Sequence, residues 1–115
     1  MASYTGSEVG AVIGRVWKGW ATTENASAYE ELFRERVLPG LRDIDGFVDA
    51  YVLRRDSEDE VEITTITLFA SMESIRAFAG EDPSRAHVTP EARRLLSRFE
   101  ETVVHHDVAI APQTG

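Results

Sequence analysis

What most constrains this chain of 115 residues is the order in which hydrophobic periodicities follow one another. Strand-like alternation runs from Val9 to Trp20, with Ile13, Arg15 and Trp17 on one face and Val12, Gly14, Val16 and Lys18 on the other. A helical stripe follows over Thr23–Leu41: Ala26, Tyr29, Leu32, Phe33 and Val37 share one side, and Glu30, Glu31, Arg34 and Glu35 the other. Strand patterns return over Phe47–Arg55 and Glu60–Ala70, joined by the polar turn DSEDE. Helical segments are expected over Ser71–Ala79 and Thr89–Glu100, and a last strand over Thr102–Ile110. This β-α-β-β-α-β order predicts an α+β protein of ferredoxin-like topology, a four-stranded antiparallel sheet with helices on one face. One helical layer leaves the second sheet face in need of a partner. The cleft between sheet and helices is where a ligand would sit.

Local punctuation agrees with these spans. Thr22 or Thr23 can cap the first helix, and Pro39-Gly40 weakens or bends its end. Asp45-Gly46 makes a turn, Ser71 can cap the second helical segment and Gly80 can end it. Asp82-Pro83 and Thr89-Pro90 each pair a capping residue with a proline suited to a helical first turn.

Length and composition predict a single domain over 1–115, with an ordered core of about 9–110 between a flexible N-terminus and a loose C-terminal tail. There is no cysteine, which excludes disulfides, thiolate metal sites and a cysteine nucleophile. A net charge of −8 argues against nucleic acid, whose phosphates need a basic footprint. The N-terminus lacks the basic start and apolar run of a signal peptide, and no stretch is long and apolar enough to span a bilayer. The expectation is a cytoplasmic protein that binds neither nucleic acid nor membrane.

The stretches VIGRVWKG, LPG, YVLRR, TLFASMESIRAFAGED and VVHHDV, within about residues 10–110, resemble the antibiotic biosynthesis monooxygenase-like family of dimeric α/β barrels. SMESIRAFAGED is the most specific of them. Phe69 stands where that family more usually carries tryptophan. The resemblance implies a homodimer whose two sheets pack face to face, each protomer keeping its own pocket. It also implies chemistry that needs no cofactor and no metal. In such chemistry an electron-rich hydroxyaromatic is deprotonated and its carbanion reduces O2 directly.

The residues that could carry this are few. Arg15 in an apolar cleft needs an anion, either a protein carboxylate such as Asp49 or Asp107 or a substrate oxyanion. His105 and His106 are adjacent on a strand and must face opposite ways, so one of them at most serves this pocket as proton acceptor. Arg15, His105 and His106 are the catalytic candidates. Trp17, Tyr51, Thr67, Phe69 and His87 are the candidates for holding a planar ring, with Tyr29 and Thr65 as further hydroxyls. A haem-degrading relative would need an asparagine on the first strand and a tryptophan on the third. The only asparagine is Asn25, and His87 alone does not make a haem site. The readings are therefore a cofactor-independent oxygenase acting on a small planar aromatic, or a non-catalytic ligand-binding or structural homodimer. Haem binding, and isomerase or decarboxylase chemistry in the same pocket, are the remaining alternatives.

Overall fold

The computed structural model describes residues 12–112; residues 9–11 of the expected first strand and both terminal stretches lie outside the described residues. The strands are β1 (Ile13–Ala21), β2 (Phe47–Asp56), β3 (Val61–Phe69), β4 (Arg98–Phe99) and β5 (Val104–Asp107). The helices are α1 (Thr23–Leu32), a π-helical turn Phe33–Val37, α2 (Leu38–Arg42), α3 (Met72–Ala79) and α4 (Pro90–Leu95). All strand pairings are antiparallel. The sheet runs β2-β3-β1, and both β4 and β5 pair with the far edge of β1. This is the expected ferredoxin-like arrangement.

Two boundaries differ from expectation, for one physical reason. The last helix ends at Leu95 instead of Glu100, with Arg98–Phe99 of that stretch forming β4, and the last strand shortens to Val104–Asp107 instead of Thr102–Ile110. The Glu100 amide still donates to the Lys18 carbonyl (3.0 Å), but the Glu100 carbonyl accepts the indole N–H of Trp17 (2.7 Å). The chain then turns away from β1 and pairs with the loop after α3. Ala86 N donates to Glu101 O (2.9 Å), and Val103 N donates to Ser84 O (2.8 Å). Phe99, which fits a helical stripe in sequence, belongs to β4 and packs its ring 6.3 Å from that of Trp17.

The first helical stretch is continuous from Thr23 to Arg42 but widens in its middle, where the Leu38 N–H reaches back to the Phe33 carbonyl. Pro39 accounts for this. It has no N–H to give, and its ring crowds the carbonyl one turn earlier, so a wider turn precedes it. The Thr22 hydroxyl caps the start by accepting from Asn25 N (3.1 Å).

The core lies between the helices and one sheet face. Val61, Ile63, Thr65, Thr67 and Phe69, alternate residues of β3, are all buried there. They meet Ala26, Tyr29, Phe33, Leu41 and Ile75. The opposite face has no helix among the described residues. Strand register puts Tyr51, Ile66, Val16 and Val104 directly across from one another on it, an apolar row spanning the sheet. Tyr51 and Val104 are about half exposed, at 49% and 54%.

Candidate functional site

On the helix-facing side, register builds two parallel rows. Ala50, Thr67, Arg15 and His105 form one, and Val52, Thr65 and Trp17 the next. Above Arg15, Trp17, Thr65 and Thr67 lies a cleft roofed by Tyr29, Phe33 and Val37 and lined also by Phe78, Ala86 and His87. Its cavity volume is about 70 Å³. Its walls are apolar and aromatic apart from Arg15, the hydroxyls and His87.

Arg15 is 6% exposed and has no carboxylate partner among the described residues. The salt bridge that its sequence position allowed, to Asp49, Asp107 or a helix glutamate, is not formed. Instead its Nη2 donates to the carbonyls of Arg85 (3.0 Å) and Pro83 (3.4 Å), and its guanidinium lies 5.5 Å from the Phe78 ring centre. Burial pulls its pKa down to about 10, so it stays cationic at neutral pH. Its Nε has no hydrogen-bond partner among the described residues, and neither does the buried hydroxyl of Thr65. Tyr29 sits near Thr65. Burial raises the pKa of its phenol, and the Thr65 hydroxyl offsets part of that rise without forming a hydrogen bond of good geometry. Two buried donors in one cleft thus lack an acceptor, a state that costs about 1–3 kcal/mol for each group.

Trp17 forms the cleft floor. Gly19, two residues on and on the same face, makes room for it, because a Cβ there would come within 2.8 Å of the indole edge. His87 lines the cleft mouth with its ring edge-on to Phe78 at 6.4 Å. Thr67 lines the cleft as well.

Other candidates fall elsewhere. Tyr51 is on the opposite sheet face with its hydroxyl donating to Asp49 (3.0 Å), because strand alternation after the bulge at Phe47–Asp49 turns it away from the helices. Phe69 shares the helix-facing side but is fully buried between Phe47 and Phe78 (5.9 and 6.0 Å) and forms core instead of cleft wall. His106 lies opposite Gly14 on the outer face. His105 lies opposite Arg15 on the helix-facing side, outside the cleft lining, with its Nε2 buried and unpartnered. Burial, the Arg15 charge and His106 lower its pKa, which favours the neutral imidazole.

The cleft also uses residues that read in sequence only as core or loop. Phe33, Val37 and Phe78 belong to apolar stripes. The alternation Ala86-His87-Val88 in a loop was the one available sign that this segment lies against something.

Comparison with known proteins agrees with this architecture. No curated protein sequence matches the chain. Among solved structures, a variant of SnoaB from Streptomyces nogalater, described as a cofactor-independent oxygenase, superposes with a TM-score of 0.65 at 15% identity, covering 89% of this chain and 97% of that one. The monooxygenase from the gene ActVA-Orf6 of Streptomyces coelicolor, in complex with the ligand nanaomycin D, gives 0.56 at 20% identity, covering 96% and 99%. A conserved protein from Methanosarcina mazei Go1 gives 0.65 at 15% identity, covering 84% and 92%. At such identities the likeness is one of fold. The sequence model for antibiotic biosynthesis monooxygenases matches residues 13–90, more than half the chain, and the protein belongs to that family.

Proposed function

We propose that this protein is a cofactor-independent monooxygenase that takes a small planar hydroxyaromatic into the Arg15 cleft and works as a cytoplasmic homodimer. The observation that carries this reading is the pair of buried, acceptorless donors, Arg15 Nε and the Thr65 hydroxyl, in an otherwise apolar and aromatic cleft. A ring oxyanion supplies the acceptor and the negative charge that Arg15 lacks. Trp17 and Phe78 supply flat apolar surface. Stabilising the anion leaves the ring electron-rich enough to reduce O2. One oxygen atom becomes a new ring carbonyl and the other leaves as water, with the two hydrogens coming from the ring carbon and the hydroxyl. The substrate supplies all the electrons, so no external reductant is required. The proton is taken by one of the imidazoles on this side of the sheet, His105 beside Arg15 or His87 at the mouth.

The homodimer rests on the apolar row Tyr51–Ile66–Val16–Val104, which no helix of the described residues covers. An isologous partner would bury it.

The test is aerobic turnover of a hydroxyaromatic panel, with absorbance and oxygen uptake followed together. One O2 consumed for each ring oxidised is the expected stoichiometry. Arg15→Ala should lower kcat by about 10²–10³, the usual loss for an oxyanion donor. Unchanged turnover in that variant would sink the assignment. Ligand binding without oxygen uptake would favour the non-catalytic reading.

A further inference from the structure

Among the described residues, three buried side-chain polar atoms have no hydrogen-bond partner: Arg15 Nε, the Thr65 hydroxyl and His105 Nε2. The first two belong to residues that line the cleft, and the third does not. Strand register ties His105 to the cleft all the same. It pairs directly across from Arg15, which pairs on its other side with Thr67. Side chains opposite one another on antiparallel strands rise from Cβ atoms about 5 Å apart. His105 is therefore a titratable neighbour of the buried guanidinium.

Burial, then the Arg15 charge and then His106 hold this imidazole neutral. Asp107 stands two residues on, on the same side of β5 and across from Ile13. Asp82, Arg85 and Glu101 belong to the loop and turn packed just before the strand. None of these gives Nε2 a hydrogen bond. The residue as a whole is only partly buried, so its ring can exchange protons with solvent.

A proton on Nε2 puts a second positive charge beside Arg15. An anion on the guanidinium reverses that balance, because it cancels the Arg15 charge and draws a proton to the imidazole. A unit charge within about 10 Å, at the screening usual near a protein surface, moves a neighbouring titration by about one unit. The effect is mutual, so a protonated His105 tightens the anion by the same factor, about tenfold. His87 differs. It is exposed at the cleft mouth, where water screens it from Arg15.

We propose that His105 is the proton store of the cleft: when a ring oxyanion settles on Arg15, the imidazole across the strand pair takes up a proton from solvent. This rests on the hydroxyaromatic reading of the cleft and adds how the charge of the bound ring is balanced. A neutral phenol and a neutral His105 become a bound phenolate and a protonated His105. The proton that leaves the phenol is matched by the one gained at Nε2, and no electron moves. A ligand that is already ionised draws its matching proton from water, so its affinity rises as pH falls, until the ligand itself becomes protonated.

The experiment is binding calorimetry under anaerobic conditions at about pH 6.5, near the ordinary histidine value. It is repeated in buffers of different ionisation enthalpy, so that the heat reports the protons exchanged. The probes are pentafluorophenol, ionised at that pH, and the uncharged pentafluoroaniline. Ring NMR follows the titration of His105 with and without pentafluorophenolate. In the wild-type chain pentafluorophenolate should take up roughly half a proton, with His105 titrating about one unit higher in the complex. Pentafluoroaniline should take up none. His105→Gln should bind pentafluorophenolate without proton uptake, and His87→Gln should keep the uptake. Should His105→Gln fail to fold, the ring NMR of the wild-type chain decides by itself. No binding of pentafluorophenolate, no uptake on binding, uptake that survives in His105→Gln or uptake that vanishes in His87→Gln would overturn the store. Turnover in air separates the two ideas. Proton uptake without oxygen consumption leaves the store standing and removes the oxygenase. Turnover by His105→Gln with the wild-type rate and pH profile, and proton uptake to match, removes the store alone.

Discussion

At the scale of single residues, Gly46 and His105 show how local chemistry is set by distant neighbours. Gly46 has φ +96°, and a Cβ on it would fall 2.0 Å from the Ser74 hydroxyl oxygen, which itself donates to the Asp45 carbonyl (2.7 Å). Gly46→Ala therefore combines backbone strain with a steric clash and should cost about 2–4 kcal/mol, read as a fall in the urea midpoint. His105 gives a pH signature. Its folded pKa lies below the ordinary value because of burial and then the Arg15 charge, so between the two values the unfolded chain binds the extra proton. Its contribution is whole above the unfolded value of about 6.5 and is lost as pH falls toward the folded pKa. His105→Gln should flatten that part of the stability profile. Identical wild-type and variant slopes from pH 7 downward would show that the imidazole titrates freely. Asp45-Gly46 was readable as a turn. That Ser74 would pack against it was not, because the contact joins residues 29 apart.

Among the elements, α3 illustrates a helix made by its cap. Ser71 Oγ accepts from Ser74 N (3.1 Å) and also meets Ser74 Oγ (3.0 Å), tying the helix start to the turn at Asp45. Ser71→Ala should cost about 1 kcal/mol by thermal unfolding, and Ser71→Asp should recover most of it. A loss of several kcal/mol would mean that the serine serves the Asp45 turn more than the helix. The first helical stretch and the strands β2 and β3 were readable from periodicity within a residue or two at most ends. The C-terminal elements were not. Leu95, Leu96 and Phe99 satisfy a helical stripe, yet the indole of Trp17 holds Glu100 more than eighty positions later in the chain and draws the segment into β4. Local pattern carries no information about that hydrogen bond.

Across the whole molecule, the open sheet face is where the proposed dimer would form. Ile66 lies in the middle of the apolar row, paired with Val16 on one side and Tyr51 on the other. Ile66→Asp should convert the proposed dimer to monomer in sedimentation velocity while Arg15 and its cleft, on the other face, keep their ligand. A wild-type chain that sediments as a monomer at micromolar concentration would remove the dimer. No helix among the described residues is long and apolar enough to cross a membrane.

Residue order alone was enough for the element sequence as far as α3, the single helical layer and the alternation that forces His105 and His106 apart, because these follow from periods of two and 3.6 within a few residues. It also placed Ile13, Arg15 and Trp17 on a common face. Register decided the rest. Pairing β5 with β1 put His105, and not His106, beside Arg15. The bulge at Phe47–Asp49 turned Tyr51 outward, and packing between Phe47 and Phe78 took Phe69 out of the cleft. Whether Arg15 had a carboxylate partner also waited on the tertiary structure, since a salt bridge depends on which distant strand or loop comes within about 4 Å. Here two backbone carbonyls arrived instead, and among the described residues no carboxylate neutralises the guanidinium.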